Sequence, residues 1–478
     1  MKTRHWIIAL TLMICVTGCS MAPKYNRPQA PVPAEWPKGP AYRENNEPNV
    51  PQAYELSWQE FFTDEKLRTI IDMGLKNNRD LRIAALNVER ARGLYGIQAA
   101  ELYPIVNAGG GYVKQRIPAD LSGTGRTETV KSYDVELGMA SWEIDFFGRI
   151  RSLKDSALKQ FFASQMARRS AQISLISEIA SAYLTLAADQ ESLQIAQSTF
   201  DSQQAAYDLI KRRYESGLSQ RLDLLQVQTR VDAARVDISL FTRLVAQDLS
   251  ALNLLVGSTV PDEFLPNSLT AVEQPQTISA GISSDVLLRR PDVLQAENLL
   301  MASNANIGAA RAALFPRISL TSTIGTASTE LNGLFSNGST TWTFAPQFVM
   351  PIFDPRAWSA LDVTKTDQKI AVAQYERSIQ GAFKEVADSL AVQGTIEDQL
   401  TAQQSLTDAT AETYRLSNTR YLKGIENYLT VIDAQRSLYS AEQGLVSYRL
   451  AKAVNQARLY AVLGGGDDPI FANMDVKK

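Results

Sequence analysis

Among the side chains able to do covalent chemistry, Cys19 stands out by position, closing Val16-Thr17-Gly18-Cys19 at the end of an apolar run from Trp6 to Val16. Lys2, Arg4 and His5 precede that run. A basic start, a short apolar stretch and small residues make a secretory signal, too short to span a bilayer as a helix. The ending resembles a bacterial lipobox, which implies cleavage before Cys19 and acylation of the cysteine. Ser20 follows, and in lipoproteins a residue other than Asp at that place implies sorting to the outer membrane. The expectation is a signal peptide over 1–18 and a covalent lipid on Cys19, with no other cofactor.

The same processing removes what catalysis would need. The single histidine, His5, and the other cysteine, Cys15, both lie in the discarded segment. With no histidine and its one thiol blocked, the mature chain can build no disulfide, Cys/His metal site, thiol nucleophile or histidine triad. The remaining carboxylates, lysines, tyrosines and serines fall in no catalytic spacing, so neither an enzyme nor a metal site is expected. Acidic residues number 51 and basic residues 48, for a net charge of −3, which argues against nucleic acid as a partner. After residue 19 no apolar run reaches the ~18 residues that a spanning helix needs. A membrane crossing would therefore have to be a closed β-barrel.

The elements that position these groups are written twice. After a proline-rich stretch from Met21 to Pro51, read as an extended arm or a tether, Arg79 through Pro104 lies over Pro291 through Pro316 at an offset of 212. Tyr214-Glu215-Ser216-Gly217 lies over Tyr421-Leu422-Lys423-Gly424, and Leu255-Val256-Gly257 over Val462-Leu463-Gly464, at an offset of 207. A repeat this long is a duplicated domain. The expected organisation is an arm over 19–56, a first repeat over 57–260 with strands at about 105–116 and 131–145, and a linker over 261–284. A second repeat then covers 285–464 with strands at about 317–326 and 340–352, followed by a tail over 465–478.

Each repeat reads as a helix, two strands and two long helices. Tyr133, Val135, Leu137 and Met139 alternate with Asp134, Glu136, Gly138 and Ala140; Trp342, Phe344, Pro346, Phe348, Met350 and Ile352 alternate with Thr341, Thr343, Ala345, Gln347, Val349 and Pro351. Period two gives one apolar face, for a core or for lipid. Between Arg149 and Gly217 there is no Pro or Gly, and ~65 helical residues would span roughly 100 Å. Ile173, Ile176, Ala180, Tyr183 and Ala187, and Leu224, Val227, Val231, Ala234, Ile238, Phe241 and Val245, step by three and four, the narrow stripe of a coiled coil. Gly217 and Gly424 fall where the long helices stop and the chain turns back, as left-handed C-caps do. Four strands per chain cannot close a barrel, and lipid tolerates no open edge, so several copies must contribute strands side by side. Closed cyclic symmetry then makes a ring of identical subunits.

Several segments together resemble the TolC superfamily of outer-membrane factors, with the OprM-like lipoproteins as the nearest branch. They are the lipobox, the arm, Ser57-Trp58-Gln59-Glu60-Phe61-Phe62-Thr63-Asp64, Trp142 through Arg149, Leu287-Leu288-Arg289-Arg290-Pro291-Asp292, and Gly424 through Arg436. The resemblance covers essentially the whole mature chain. It implies an α+β membrane protein: a homotrimer with a 12-stranded β-barrel continuous with a 12-helix coiled-coil α-barrel tunnel. It further implies the exit duct of a tripartite efflux pump, set in outer-membrane lipid, docking a periplasmic membrane-fusion adaptor and served by an inner-membrane transporter, proton-driven and of the RND type. The duct itself would only open and close.

On residues alone, Asp433 is one more solvated helix carboxylate and Leu429 a packing residue. The resemblance instead implies that three copies of Asp433 form an acidic ring at the periplasmic mouth and three copies of Leu429 an apolar one. It places Asp223 and Tyr421 where neighbouring coiled coils are latched. The chain departs from TolC at Glu426, where a basic latch residue is expected, leaving Arg420 or Arg221 as substitutes if the helix faces allow. A ring of carboxylates would make closure sensitive to pH and cations. A simple diffusion porin would not need the long breaker-free helices, and a lipid-anchored periplasmic coiled-coil scaffold would not need the paired aromatic-rich strands.

Overall fold

The computed structural model describes residues 20–42, 50–281 and 283–465; the signal peptide, Cys19 and the tail 466–478 lie outside the described residues. After a capped single turn at Trp58–Phe61 come α1 (Glu65–Asn77) and α2 (Arg79–Ala100). The first repeat continues as β1 (Val106–Ile117), β2 (Glu128–Glu143), α3 (Arg149–Glu215) and α4 (Arg221–Val256). The second gives α5 (Pro291–Ala312), β3 (Arg317–Ser328), β4 (Thr340–Val349), α6 (Pro355–Leu422) and α7 (Tyr428–Val462). Each repeat pairs a helix of 67 or 68 residues with one of 36 or 35. Local chemistry sets several ends: α5 and α6 begin on a proline, which suits the first helical position, and α4 stops at Gly257 with a φ of 75°.

The chain divides into two compact units, and each draws segments from both repeats. The first comprises the residues up to Gln29, Asn87–Gln165 and Gln295–Tyr375. Its centre is a four-stranded antiparallel sheet in the order β1-β2-β3-β4. Paired residues of an antiparallel ladder project to the same side, so the register sorts the side chains. One face carries Val106, Tyr112, Tyr133, Val135, Leu137, Met139, Ile324, Trp342, Phe344 and Phe348. The other carries Asn107, Asp134, Glu136, Thr323, Thr341, Thr343 and four glycines, Gly109, Gly111, Gly138 and Gly325. The large face is uncovered: Trp342 is 72 % exposed, Phe344 62 % and Phe348 63 %. A side chain at Gly138 or Gly325 would run into the backbone of the neighbouring strand. Small residues on one side and bulky ones on the other let a sheet curl towards the small side. A bulge between Met139 and Trp142, with Ser141 at φ 53°, bends β2 at its end.

Below the sheet, Arg149 forks onto Glu143 with two bonds of 2.9 Å, and Asp145 accepts from the amides of Ile150 and Arg151 at the start of α3. These are the charged residues of the Trp142 to Arg149 segment, and their work is to fix the strand-to-helix turn. The arm is ordered in this unit and runs along α5. Arg311 donates to the Met21 carbonyl at 3.2 Å, Asn304 to the Pro23 carbonyl at 2.7 Å, and Glu297 takes both Tyr25 and Arg27. Its three grips on α5 are spaced by seven residues, one face of a helix.

The second unit comprises Ala30–Leu86, Met166–Leu294 and Glu376–Lys478. Its core holds the predicted stripe of α3, with Ile176, Ala180, Tyr183 and Ala187 all buried, and a side chain at Gly74 of α1 would push against the tip of Ile179. The most apolar 18-residue stretch of α3 is half buried. Phe61 stacks on Tyr460 at 4.3 Å, after Ser57 and Glu60 close a capping box over the turn that carries it. Arg290 is buried, donating to Asp292, to Glu385 at 2.8 Å and to the Val462 carbonyl at 2.6 Å. Three segments of this unit thus meet on one guanidinium. The linker is packed as well: Gln276 donates its amide to Phe61, Ser279 to Pro51 and Ser284 to Ala34.

Candidate functional site: the helix-hairpin ends

The helices of each repeat turn back at the same backbone motif. Gly217 adopts a φ of 73° and Gly424 one of 72°. At the first turn Leu218 donates to the Arg213 carbonyl at 2.7 Å and Gly217 to that of Tyr214 at 2.9 Å; at the second, Ile425 donates to Arg420 at 3.0 Å and Gly424 to Tyr421 at 2.9 Å. Both are Schellman closures, which satisfy the last carbonyls of α3 and α6 and need a residue free to take a left-handed conformation. Gly217 and Gly424 are therefore the hairpin tips.

The two hairpins are packed against each other by a small apolar centre and a polar seam. Ile210 of α3, Val227 of α4 and Ile432 of α7 form the buried centre, with Leu224, Tyr421 and Tyr428 against it. Further from the tips, the buried Gln203 donates to Gln435 at 2.6 Å, and Gln435 donates to Ser202 at 3.1 Å. Burial raises the Tyr428 phenol well above its ordinary range, so it stays neutral. The seam registers α3 against α7 by side-chain amides, whose geometry is stricter than that of apolar contact.

Asp223 caps the helix to which it belongs. Its Oδ2 accepts from Ser219 Oγ at 2.9 Å and from the Gln220 amide at 3.2 Å. Tyr421 is held from the other hairpin, its hydroxyl accepting from Arg213 at 3.0 Å. Asp223 and Tyr421 thus share no hydrogen bond among the described residues. Leu429 and Asp433 lie one turn apart on α7, both about half exposed, and among the described residues the Asp433 carboxylate has only its neighbour Arg436 at 3.6 Å. Glu426 pairs with Arg420 at 3.0 Å inside the same hairpin, so Arg420, not Arg221, answers it. Sequence reasoning missed Arg213, Gln203 and Gln435, which become partners only once α3 is laid beside α6 and α7. Cys19 lies outside the described residues.

No group of three or more His, Cys, Asp or Glu side chains able to hold a metal occurs among the described residues. A four-stranded sheet with an uncovered apolar face and a glycine-rich opposite face, with helices of 67 and 68 residues that end in paired hairpins, defines an outer-membrane channel subunit. The profile of the family described as "Outer membrane efflux protein" matches residues 70–258 and 282–465. The chain belongs to that family, is a TolC-like outer-membrane factor, and acts as an efflux duct in the outer membrane, not as an enzyme. It is 45 % identical over 460 residues to the antibiotic efflux pump outer membrane protein ArpC of Pseudomonas putida, covering 96 % of this chain and 95 % of that one. The toluene efflux pump outer membrane protein TtgC of Pseudomonas putida matches with the same identity and coverage, 45 % and 96 % of this chain to 95 % of that one. Among solved structures, the open state of the Neisseria gonorrhoeae MtrE outer membrane channel superposes with a TM-score of 0.85 at 35 % identity, covering 94 % of this chain and 98 % of that one.

Proposed function

We propose that three copies of this chain close their sheets into a 12-stranded barrel and their helices into a 12-helix tunnel, forming the exit duct of a tripartite pump. The observation that carries this is the sheet: β1 and β4 are both open edges, and the bulky face beside them is uncovered. In lipid such edges must pair, and identical copies supply the partner. β4, from Thr340 to Val349, is nine residue steps, about 31 Å of extended chain and about 22 Å of height at barrel tilt, close to the height of a lipid-facing band. The glycine-rich face then lines the lumen.

In this assembly the hairpin ends form the periplasmic mouth, with Asp433 as an acidic ring and Leu429 as an apolar constriction behind which cations gather. The Arg213–Tyr421 bond ties one hairpin to the other and serves as the latch, with Asp223 holding the start of α4 in place. Cys19 carries the lipid, two residues before Met21, whose carbonyl is held by Arg311 of α5. A periplasmic adaptor docks the duct, and the inner-membrane transporter is of the proton-driven RND type. The cargo includes antibiotics and aromatic solvents, as the names of the relatives state for those proteins.

Planar-bilayer recording of the purified protein tests this reading. Small cation-selective currents from a trimer support it; large ungated currents that ignore changes at Asp433 and Leu429 would point to a plain porin, and no current at all would remove the barrel.

A further inference from the structure

Away from the helices, the bulky face of the β1–β2 hairpin reads, rung by rung, Val106 with Met139, Ala108 with Leu137, Gly110 with Val135, Tyr112 with Tyr133, Lys114 with Lys131, and Arg116 with Thr129. Three bases thus follow the apolar rungs on one side. The carboxylates of the same two strands, Glu128, Asp134, Glu136 and, beyond the bulge, Glu143, all project to the other side. The turn beyond adds one charge of each sign, Asp120 and Arg126. Lys114 and Lys131 are exposed and directly opposite each other, an arrangement that destabilises a sheet unless an anion lies between the two ammonium groups. The rung beneath them is aromatic, with the Tyr112 and Tyr133 rings 4.7 Å apart. The β2–β3 pairing ends at Tyr133 with Ser328, so the lysine rung stands clear of β3 and leaves room for a bulky headgroup.

We propose that Lys114, Lys131 and Arg116 dock the phosphate groups of the phosphorylated glycolipid of the outer leaflet, with the tyrosine pair seated at the boundary between headgroup and acyl chains. This rests on the barrel reading above, which turns the bulky face to lipid. The lysine rung lies three rungs beyond that of Leu137, Ile324 and Trp342, about 20 Å along the strand, which carries it out of the hydrocarbon and into the headgroup layer. Tyrosines favour that boundary, and clustered bases beside it recognise anionic headgroups. Acids on the lumen side and bases on the lipid side of one hairpin are the charge distribution such a ligand selects.

The test reconstitutes the full chain in phosphatidylcholine nanodiscs doped with bis-phosphorylated lipid A or with its dephosphorylated form, and counts retained lipid by native mass spectrometry. The natural sequence should retain the phosphorylated form severalfold more, K114Q/K131Q should show no preference, and K114R/K131R should restore it. Equal retention of both lipids by the natural sequence, or an unchanged preference in K114Q/K131Q, overturns the proposal. Loss of the preference on adding inorganic phosphate reduces the site to a simple anion site and overturns lipid docking. Normal bilayer conductance without lipid preference sinks this inference alone, whereas a folded protein that neither inserts nor conducts sinks the barrel with it.

Discussion

The two hairpin ends share a backbone and differ in what their carboxylates do. Both close on a glycine, with φ of 73° and 72° and equivalent hydrogen bonds. At the first, Asp223 turns back onto Ser219 and Gln220 to start α4. At the second, the neutral Asn427 caps α7 through Thr430 at 3.3 Å, and the acidic residue sits further along, at Asp433, with its carboxylate about half exposed. By the repeat offset the first-hairpin counterpart of Asp433 is Gln226. Duplication preserved the turn because the backbone requires it, while the side chains around it diverged, the caps included, Gln220 and Asp223 matching Asn427 and Thr430. In the proposed assembly the second hairpin would carry the gate and the first would support it.

The largest effect should come from erasing what is special to the second end. Asp433→Ala combined with Leu429→Ala should raise single-channel conductance severalfold; if Gln226→Ala with Leu222→Ala does the same, the two ends are equivalent and the distinction collapses. A smaller but clear effect is expected from Gln226→Asp, which gives the first end its own carboxylate. Reversal potentials in a salt gradient should show greater cation selectivity, and an unchanged potential would mean that position 226 does not face the path.

Next come the ties between the ends. Arg213→Ala frees the Tyr421 hydroxyl and should raise open probability with little loss of melting temperature. Asp223→Ala should raise conductance too, but through a frayed α4 and at about 1 kcal/mol of stability, as the loss of a cap costs. Melting curves would separate the two; equal stability of both variants would mean that Asp223 is not a structural cap.

The smallest effect concerns pH. Burial, together with the hydrogen bond and charge of the facing Asp189 of α3, pushes Asp248 of α4 up to about 6, and burial raises Asp189 as well. A carboxyl raised in the folded state stabilises it fully below the ordinary value of 3.8, and that contribution is lost as pH rises through about 6. The counterparts in the second repeat are uncharged, Ile396 and Asn455, the latter donating to the Ser389 carbonyl at 3.0 Å. Asp248→Asn should therefore flatten the fall in melting temperature between acid and neutral pH. A slope that persists would assign the titration elsewhere.

Much of this was legible before folding, and for definite reasons. Strand faces follow from period two, so the alternation around Tyr133 and Trp342 reappears in the register. Helix ends follow from glycine, since few residues besides Gly217 and Gly424 could take those angles cheaply. What depended on register between distant helices was not legible. Arg213 reaches Tyr421 across 208 positions and Gln203 reaches Gln435 across 232, and no local spacing encodes either. For Glu426 the sequence offered Arg420 or Arg221, and only the fold chose Arg420, six residues away.

The arm along α5 also sets an order of events. Met21, Pro23 and Arg27 are synthesised first, yet their partners Arg311, Asn304 and Glu297 lie 290, 281 and 270 residues downstream. The N-terminus therefore cannot dock until the second repeat has been made and α5 has formed. Closing loops of that length is slow and comes late in folding. The end of the chain that emerges first stays free longest, open to processing and carriage, and the grip of α5 closes only when the rest of the protomer is ready to receive it.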